Sequence, residues 1–461
     1  MMWWQNTVVG FSVLVLTAFS WAAAGAEAAE GTREFGFARV DITPDQPLRL
    51  SGYGNRSQPF VGIDEPLWTR AMAIKADHGD LHALVSVESI GFPGTLVKRI
   101  AKAVDEQYDI PRSRFVICFT HTHTSPHISG GLTNIFSKPL TREETANSQR
   151  YTDKVVGKIL SCVGKAIERL EPGKLYHAQG KVTFAENRRV LKDGTWAGFG
   201  VNADGPVDHS LPILKIVGPD GSVRGFVFNY ACHCTTFDGS HNRINGDWAG
   251  YAARYLEEAF PGVCALCTVG CGADANPPRD RNRASEFAKQ QGKEISEEVK
   301  RLSKSPMQPI TQPLSTSFGH ADLPFDRPSV DELKQRLESN RIQTRRHAED
   351  MLARYERAGE LPAAYPAPIQ TWRFGDQLAM VFLSGEVVVD YALRLRRELA
   401  PNPVWVSAYA NDLFGYLASE RVRREGGYEV DASMIYYDQP GPLAKGTEEV
   451  VIRTIHELLN R

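Results

Sequence analysis

Short strand-like runs alternate with longer stretches of helical periodicity along most of this chain, and that alternation constrains the fold more than any other feature. The strand-like runs fall at 35–42, 70–75, 81–87, 115–119, 213–217, 223–231, 263–269, 377–383 and 404–408. Between them, 95–107 carries Leu96, Val97, Ile100 and Val104 on roughly one face of a helix. The segments 151–170, 247–259, 284–302, 387–399 and 448–459 read the same way. Elements of this kind bury one face each and stack in layers, so the predicted class is α/β, with layered mixed β-sheets flanked by α-helices. The stretch 330–359 is highly charged, with sparse apolar positions, and reads as an exposed helix or helical hairpin. Proline-rich breaks at Pro277-Pro278, 305–313 and 361–368 are not followed by self-contained patterns. The sequence therefore predicts one catalytic-size domain over 29–461, with a helical excursion at about 330–360.

Charge excludes one broad class of partner. The 461 residues carry 53 Lys+Arg against 55 Asp+Glu, a formal net charge of −2, without the basic surplus of a nucleic-acid binder. The first residues address the compartment. Residues 1–26 bear no charged side chain, 8–24 is strongly apolar, and Ala26-Glu27-Ala28 offers a small-x-small cleavage pattern. This reads as a signal peptide over 1–28, predicting a secreted or periplasmic protein. An uncleaved membrane anchor is the rival, because the apolar stretch approaches spanning length. The small-residue ending is what a peptidase needs and an anchor does not.

Seven cysteines, an odd number, leave at least one thiol unpaired unless chains are cross-linked. Cys264, Cys267 and Cys271, with Cys232-His233-Cys234, raise the alternative of a thiolate cluster. The better reading is a buried strand at 263–270, where Cys behaves as a small hydrophobe and Cys264 and Cys267 face opposite sides.

Chemistry concentrates at strand ends. Phe119-Thr120-His121-Thr122-His123-Thr124-Ser125-Pro126-His127 follows the apolar run 114–118. On an extended backbone His121 and His123 point the same way, with the surrounding hydroxyls available to orient the rings. A polar loop whose histidines only bond backbone is the simpler account of one histidine; three in so short a segment point to a metal or acid–base site. His233 ends another apolar strand, and Gly246-Asp247 then leads into a helix that Asp247 can cap. Two strand-end histidines far apart in sequence can converge at one sheet edge, where α/β enzymes place their sites. Glu386 lies where the apolar run 379–383 breaks at Gly385; a carboxylate there also suits a helix dipole. Tyrosines recur through 409–428, where aromatic residues usually serve packing.

The combined order of motifs resembles the catalytic domain of the neutral/alkaline (non-lysosomal) ceramidase family. The matching segments are Asp41-Ile42-Thr43-Pro44, Ser51-Gly52-Tyr53-Gly54, Gly62-Ile63 ahead of Trp68-Thr69-Arg70-Ala71, and the His-Thr-His segment at 120–126. Asn187-Arg188, the His233 segment, Gly246-Asp247-x-x-Gly250-Tyr251, Ser384-Gly385-Glu386, Tyr416 and Tyr428-Glu429 follow in the same order. The resemblance implies a ceramidase-like fold and a zinc ion bound by His121, His233, Glu386 and Tyr416. It implies His123 beside the metal as a proton-transfer or hydrogen-bonding residue, and Arg188 and Tyr428 as stabilisers of the oxyanion. Asn276 and His127 are expected to line the substrate. Asn276 falls where the family's ceramidases carry a serine, and an amide cannot act as a serine-type nucleophile, so hydrolysis is expected to run through metal-activated water. The resemblance reaches the end of the catalytic domain at 446–451, whereas the family's ceramidases continue into an immunoglobulin-like domain.

The leading expectation is an exported zinc-dependent amidohydrolase acting on a linear amide, N-acyl sphingosine or another N-acyl compound. It places the protein in lipid, and specifically sphingolipid, metabolism and leaves room for peripheral membrane contact. A zinc hydrolase acting on a different bond and a non-catalytic ligand-binding relative are the alternatives.

Overall fold

In the computed structural model, which describes residues 1–4, 31–76 and 79–461, most of the strand-like runs pair into one long sheet. The expected leader at 1–28 lies, beyond its first four residues, outside the described residues. From edge to edge the strands are Cys264–Val269, Val223–Tyr230, Ser210–Val217, Glu171–Lys181, Thr32–Asp41, Trp68–Lys75, Leu81–Val87 and Phe115–Phe119. The short strand Gln308–Ile310 adds to Glu171–Lys181. The interior pairs are antiparallel, whereas the pair at each end is parallel. Parallel neighbours need a crossover, and the helices Gly94–Tyr108 and Asp247–Ala259 supply one at each end.

A second sheet, in the order Leu314–Pro324, Ala364–Phe374, Leu378–Leu383, Val404–Ser407, packs against the first. Strand alternation decides which residues meet. Met72, Ile74, Leu84, Val116 and Cys118 share a core with Trp372, Met380, Phe382 and Trp405 of the second sheet. Their sequence neighbours Ala71, Ala73, Val85, Ile117 and Phe119 pack instead with Ile100, Val104, Ile159 and Val163 of the covering helices. The helix Thr447–Leu459 lies on Leu314–Pro324 and Ala364–Phe374. Layered mixed sheets flanked by helices are thus what the chain forms.

The long sheet also curls. Cys264–Val269, at one end of the pairing order, packs against Trp68–Lys75, Leu81–Val87 and Phe115–Phe119 near the other, and Ser86 Oγ donates to the Cys267 carbonyl at 2.5 Å. This curl carries the loop after Phe119 and the loop after Tyr230 toward each other. Cys264 and Cys267 enter different cores, and all seven thiols are buried and unbridged. Among the described residues no helix is long and apolar enough to cross a membrane.

Several elements depart from the sequence expectation. The helix expected from 151 runs over Arg142–Ile167, because Thr141 and Glu144 form a reciprocal capping box ahead of the apolar stripe. The break expected at 361–368 is largely strand. Ala364–Phe374 pairs along its whole length with Leu314–Pro324, but with Leu378–Leu383 only from Ile369 onward. Pro366 and Pro368 lie in the singly paired part, where a missing N–H need not cost a ladder bond. Residues 330–358 form two helices, Val330–Arg336 and Ile342–Ala358, packed on each other.

Candidate metal centre

The segment after Phe119 leaves its strand abruptly. His121 takes a left-handed backbone, φ 59°, an unusual conformation for a residue with a Cβ. Three of the hydroxyls around it bind backbone rather than the rings, and Thr120 Oγ1 has no hydrogen-bond partner among the described residues. Thr122 and Thr124 Oγ1 both donate to the Asn245 carbonyl, at 2.9 and 2.6 Å, and Ser125 Oγ accepts from Ile90 N at 2.9 Å. His233 is held by its own N–H on the Ala275 carbonyl (3.0 Å) and by Trp248 Nε1 donating to its carbonyl (3.0 Å). Asp247 lies at the start of the adjoining helix and ties it to this loop. Its carboxylate accepts from Trp248 N and from Thr236 N and Oγ1. Glu386 follows Gly385, whose φ of 78° favours glycine and whose added Cβ would lie 2.6 Å from the Gly415 carbonyl. The backbone at 386–387 then pairs in parallel with Tyr416–Leu417.

All three imidazoles are oriented in the same way. Nδ1 of His121 meets the Ile90 carbonyl at 2.6 Å, Nδ1 of His123 the Gly52 carbonyl at 3.1 Å, and Nδ1 of His233 the Gly272 carbonyl at 2.9 Å. A carbonyl only accepts, so each Nδ1 must carry its proton. In the neutral ring that leaves a bare lone pair on Nε2. Each of the three histidines contributes one ring nitrogen to a group whose members lie within 4.8 Å of one another. Nε2 of His121 and of His123 has no hydrogen-bond partner among the described residues although both atoms are buried.

Glu386 closes this group. Its Oε2 lies 2.9 Å from His233 Nε2 and 3.3 Å from His121 Nε2, and its Oε1 accepts from the Tyr437 hydroxyl. Burial, with Arg188 alongside, lowers the His233 imidazole to about 4. Burial and then the charges of His121 and His233 hold His123 well below its ordinary value. For Glu386, burial pushes upward, but the adjoining His121 and His233 prevail and keep the carboxyl well below the usual range. At neutral pH the His123 and His233 imidazoles are neutral and the Glu386 carboxylate is ionised, and with His121 they converge on one buried space. Converging N and O donors of this kind suit zinc. The donor set fits the metal that the sequence resemblance implies.

Arg188 borders the cluster. Its Nε donates to Glu429 Oε1 (2.9 Å) and Nη2 to the Tyr416 hydroxyl (3.1 Å), while Nη1 lies 3.4 Å from both His233 Nε2 and Asn276 Oδ1. The rings of Phe199, Tyr416 and Tyr428 surround the guanidinium, with Cζ 5.0, 5.7 and 5.8 Å from their centroids. Burial, and the Glu386 charge after it, raises both phenols, so Tyr416 and Tyr428 remain neutral O–H donors at neutral pH. The structure thus brings together His121, His123, His233, Glu386, Arg188, Tyr416, Tyr428 and Asn276 from widely separated segments. His127 stands apart. Its Nε2 pairs with the Gly131 carbonyl, its ring packs on Phe136, and it shares no hydrogen bond or ring contact with the cluster among the described residues.

Sequence reasoning did not single out Tyr437, which bonds Glu386 from outside any motif, nor Tyr409. The Tyr409 ring lies 4.5 Å from that of His121, and its buried hydroxyl has no partner among the described residues. Tyr409 follows the strand Val404–Ser407, so the strand-end position was its available signal. Gly52 was read only as part of a motif. Its carbonyl orients His123, and at φ 94° an added Cβ would lie 2.5 Å from His123 Nδ1.

Comparison with known proteins gives a consistent picture. The model of one family, described as neutral/alkaline non-lysosomal ceramidase, N-terminal, matches residues 34–278. The neutral ceramidase of Pseudomonas aeruginosa is 24% identical over 233 residues, 48% of this chain and 33% of that protein. The neutral ceramidase of Drosophila pseudoobscura pseudoobscura is 25% identical over 272 residues, 54% of this chain and 36% of that protein. The chain's match thus spans about a third of the length of these relatives. A crystal structure of the Pseudomonas aeruginosa neutral ceramidase superposes on 93% of this chain and 74% of its own, with a TM-score of 0.71 at 17% identity. A structure described as ceramidase complexed with C2 gives the same TM-score at 16% identity. These superpositions identify the fold.

Proposed function

This chain belongs to the neutral/alkaline non-lysosomal ceramidase family, and from that membership together with the imidazole cluster we infer that it is an exported, zinc-dependent hydrolase of a linear amide bond. The substrate class is N-acyl sphingosine or another N-acyl compound. The observation that carries the reading is the convergence of three imidazoles, each held at Nδ1 by a backbone carbonyl, with Glu386 Oε2 2.9 and 3.3 Å from Nε2 of His233 and His121. His121, His233 and Glu386 would hold the metal, with Tyr416 as the fourth ligand. Zinc in such a site supplies an activated water and polarises the amide carbonyl. Export rests on the leader-like composition of residues 1–28.

The chain's own groups divide the remaining work. His123 is neutral at neutral pH, with Nε2 free to take up and return a proton while Gly52 fixes its ring. Arg188 and Tyr428 donate toward the oxygen on which negative charge develops, and Glu429 holds the Arg188 fork in place. Asn276 turns its Oδ1 to Arg188 and Thr235 Oγ1, and acts as a binding rather than a nucleophilic group.

The test is a screen of the purified full chain against ceramide, N-acyl amino acids and short amides, before and after chelation, with metal analysis of the same sample. The expected outcome is one zinc per chain and a hydrolytic activity that chelation removes and zinc restores. Hydrolysis indifferent to the chelator, or a chain that binds no zinc, overturns the reading. Bound zinc without hydrolysis of any of these substrates overturns the amide reading and leaves a zinc hydrolase of a different bond or a non-catalytic ligand-binding relative.

A further inference from the structure

Beside the cluster lies a cavity of about 300 Å³ whose walls include Glu186, Phe199, Val201, Asn276, Pro277 and Arg279. Two of these residues connect it to the site. Phe199 packs against the Arg188 guanidinium and, at 5.0 Å between centroids, against Tyr428; Asn276 accepts from Arg188. Phe199 and Val201 are half or more exposed, 50% and 62%, giving the mouth an apolar rim.

Apart from the Glu186 carboxylate, the side-chain polar groups that this mouth leaves open are donors. Arg188 offers only N–H groups, so the Asn276 amide must turn its oxygen inward to Arg188 and Thr235. Its Nδ2 has no protein acceptor among the described residues. Arg279 is an exposed residue that makes no ion pair among the described residues, and its bond is a long one, 3.5 Å, from Nη1 to the Thr235 carbonyl. Neighbouring Arg188 and Arg189, by contrast, each have carboxylate partners, Glu429 for Arg188 and both Glu425 and Glu429 for Arg189. Arg279 is near enough to Tyr53 for its charge to bear on that phenol, and the Tyr53 ring lies 4.9 Å from His123. Glu186, the carboxylate of the lining, is the backbone partner of Asn276 and forms no ion pair with Arg279 among the described residues.

We propose that this mouth selects N-acyl substrates whose head group bears a carboxylate, such as N-acyl amino acids, held by the Arg279 guanidinium and Asn276 Nδ2 while the acyl chain lies along Phe199 and Val201. An ionised carboxylate supplies the acceptors that these donors lack, and a guanidinium–carboxylate fork is the strongest pairing available at such a position. The neutral head of a ceramide leaves Arg279 without a counter-charge. This assignment rests on the hydrolase reading for its bond class and on the mouth alone for its head group.

The test compares N-dodecanoylglycine with N-dodecanoylethanolamine on the zinc-loaded full chain, by kcat/KM and by calorimetric Kd. The wild type is expected to favour the carboxylate by about 10-fold or more, the worth of one charge-assisted hydrogen bond. Arg279→Gln is expected to collapse that ratio, chiefly through KM, and Arg279→Lys to retain part of it; circular dichroism confirms that each variant is folded. Equal treatment of the two ligands by the wild type overturns the proposal. A preference that persists in Arg279→Gln also overturns it, because the carboxylate is then held elsewhere, the metal included. If neither compound is hydrolysed while the Kd ratio still follows Arg279, the hydrolase reading fails and the head-group assignment stands.

Discussion

His121 and His123 differ in what their Nε2 atoms face. That of His121 looks at Glu386 Oε2 from 3.3 Å, and that of His123 meets no partner among the described residues. His121→Ala and His233→Ala are therefore expected to lose zinc outright. His123→Ala is expected to keep it while kcat/KM falls by about 100-fold or more, the usual worth of a positioned proton-transfer group. Metal analysis alongside kinetics separates the two outcomes, and a His123→Ala protein without zinc would make this residue a ligand instead. Tyr437 acts one step further out, by donating to the Glu386 oxygen turned away from the histidines. Tyr437→Phe should weaken zinc binding by about 10-fold in a chelator competition, as loss of an outer hydrogen bond to a ligand generally does. An unchanged affinity would show that Glu386 needs no such support.

Between single residues and the whole fold lies the turn that follows Cys264–Val269. Asp274 there accepts from Val389 N through Oδ1 (2.9 Å), and its carbonyl accepts from Arg188 N (2.8 Å). One turn thus ties the segment that follows Glu386 to Arg188. Burial, with Asp390 nearby, raises the Asp274 carboxyl from 3.8 to about 7. Between those values the folded chain keeps a proton that the unfolded chain has released. The stabilisation from this group is accordingly complete below pH 4 and lost as pH rises toward 7. It amounts to roughly 4 kcal/mol at most. Buried neutral histidines such as His233 contribute in the opposite direction over part of this range, so the contrast is read between proteins: in urea denaturation from pH 4 to 8 the wild type should lose stability relative to Asp274→Asn as pH rises. Asp247 and Asp412, each raised to about 6 by burial, contribute in the same direction as Asp274 and leave a residual slope. Equal slopes in the two proteins would exclude a proton on Asp274. At this scale the sequence was legible where an apolar stripe runs through a helix, as in Gly94–Tyr108 and Asp247–Ala259. It was silent for Glu171–Lys181 and Leu314–Pro324, whose partly exposed faces carry too few apolar side chains to mark a strand.

For the molecule as a whole, the cluster exists only when loops from opposite ends of the sheet order are brought together by its curl. An unfolded chain has no such site, so zinc should bind the folded state alone and stabilise it by mass action, by about 2.7 kcal/mol at free zinc 100 times its Kd. Thermal unfolding of the chelated chain should therefore shift upward on adding zinc, and His121→Ala should abolish the shift. A melting temperature indifferent to zinc would mean that the four side chains form no metal site.

Contiguous residues wrote the alternation of strands and helices, the strand-end positions of His121 and His233, and the order of motifs that marks the family. Hydrophobic periodicity and turn chemistry act over a few residues, so they can be read from a linear text. Three features came only from tertiary packing: the shared orientation of the three imidazoles on distant carbonyls, the approach of Glu386 and Tyr437, and the open donors of Asn276 and Arg279. Each depends on which backbone groups a side chain meets after the sheets close on each other, and that is set by the packing of residues far apart in the chain.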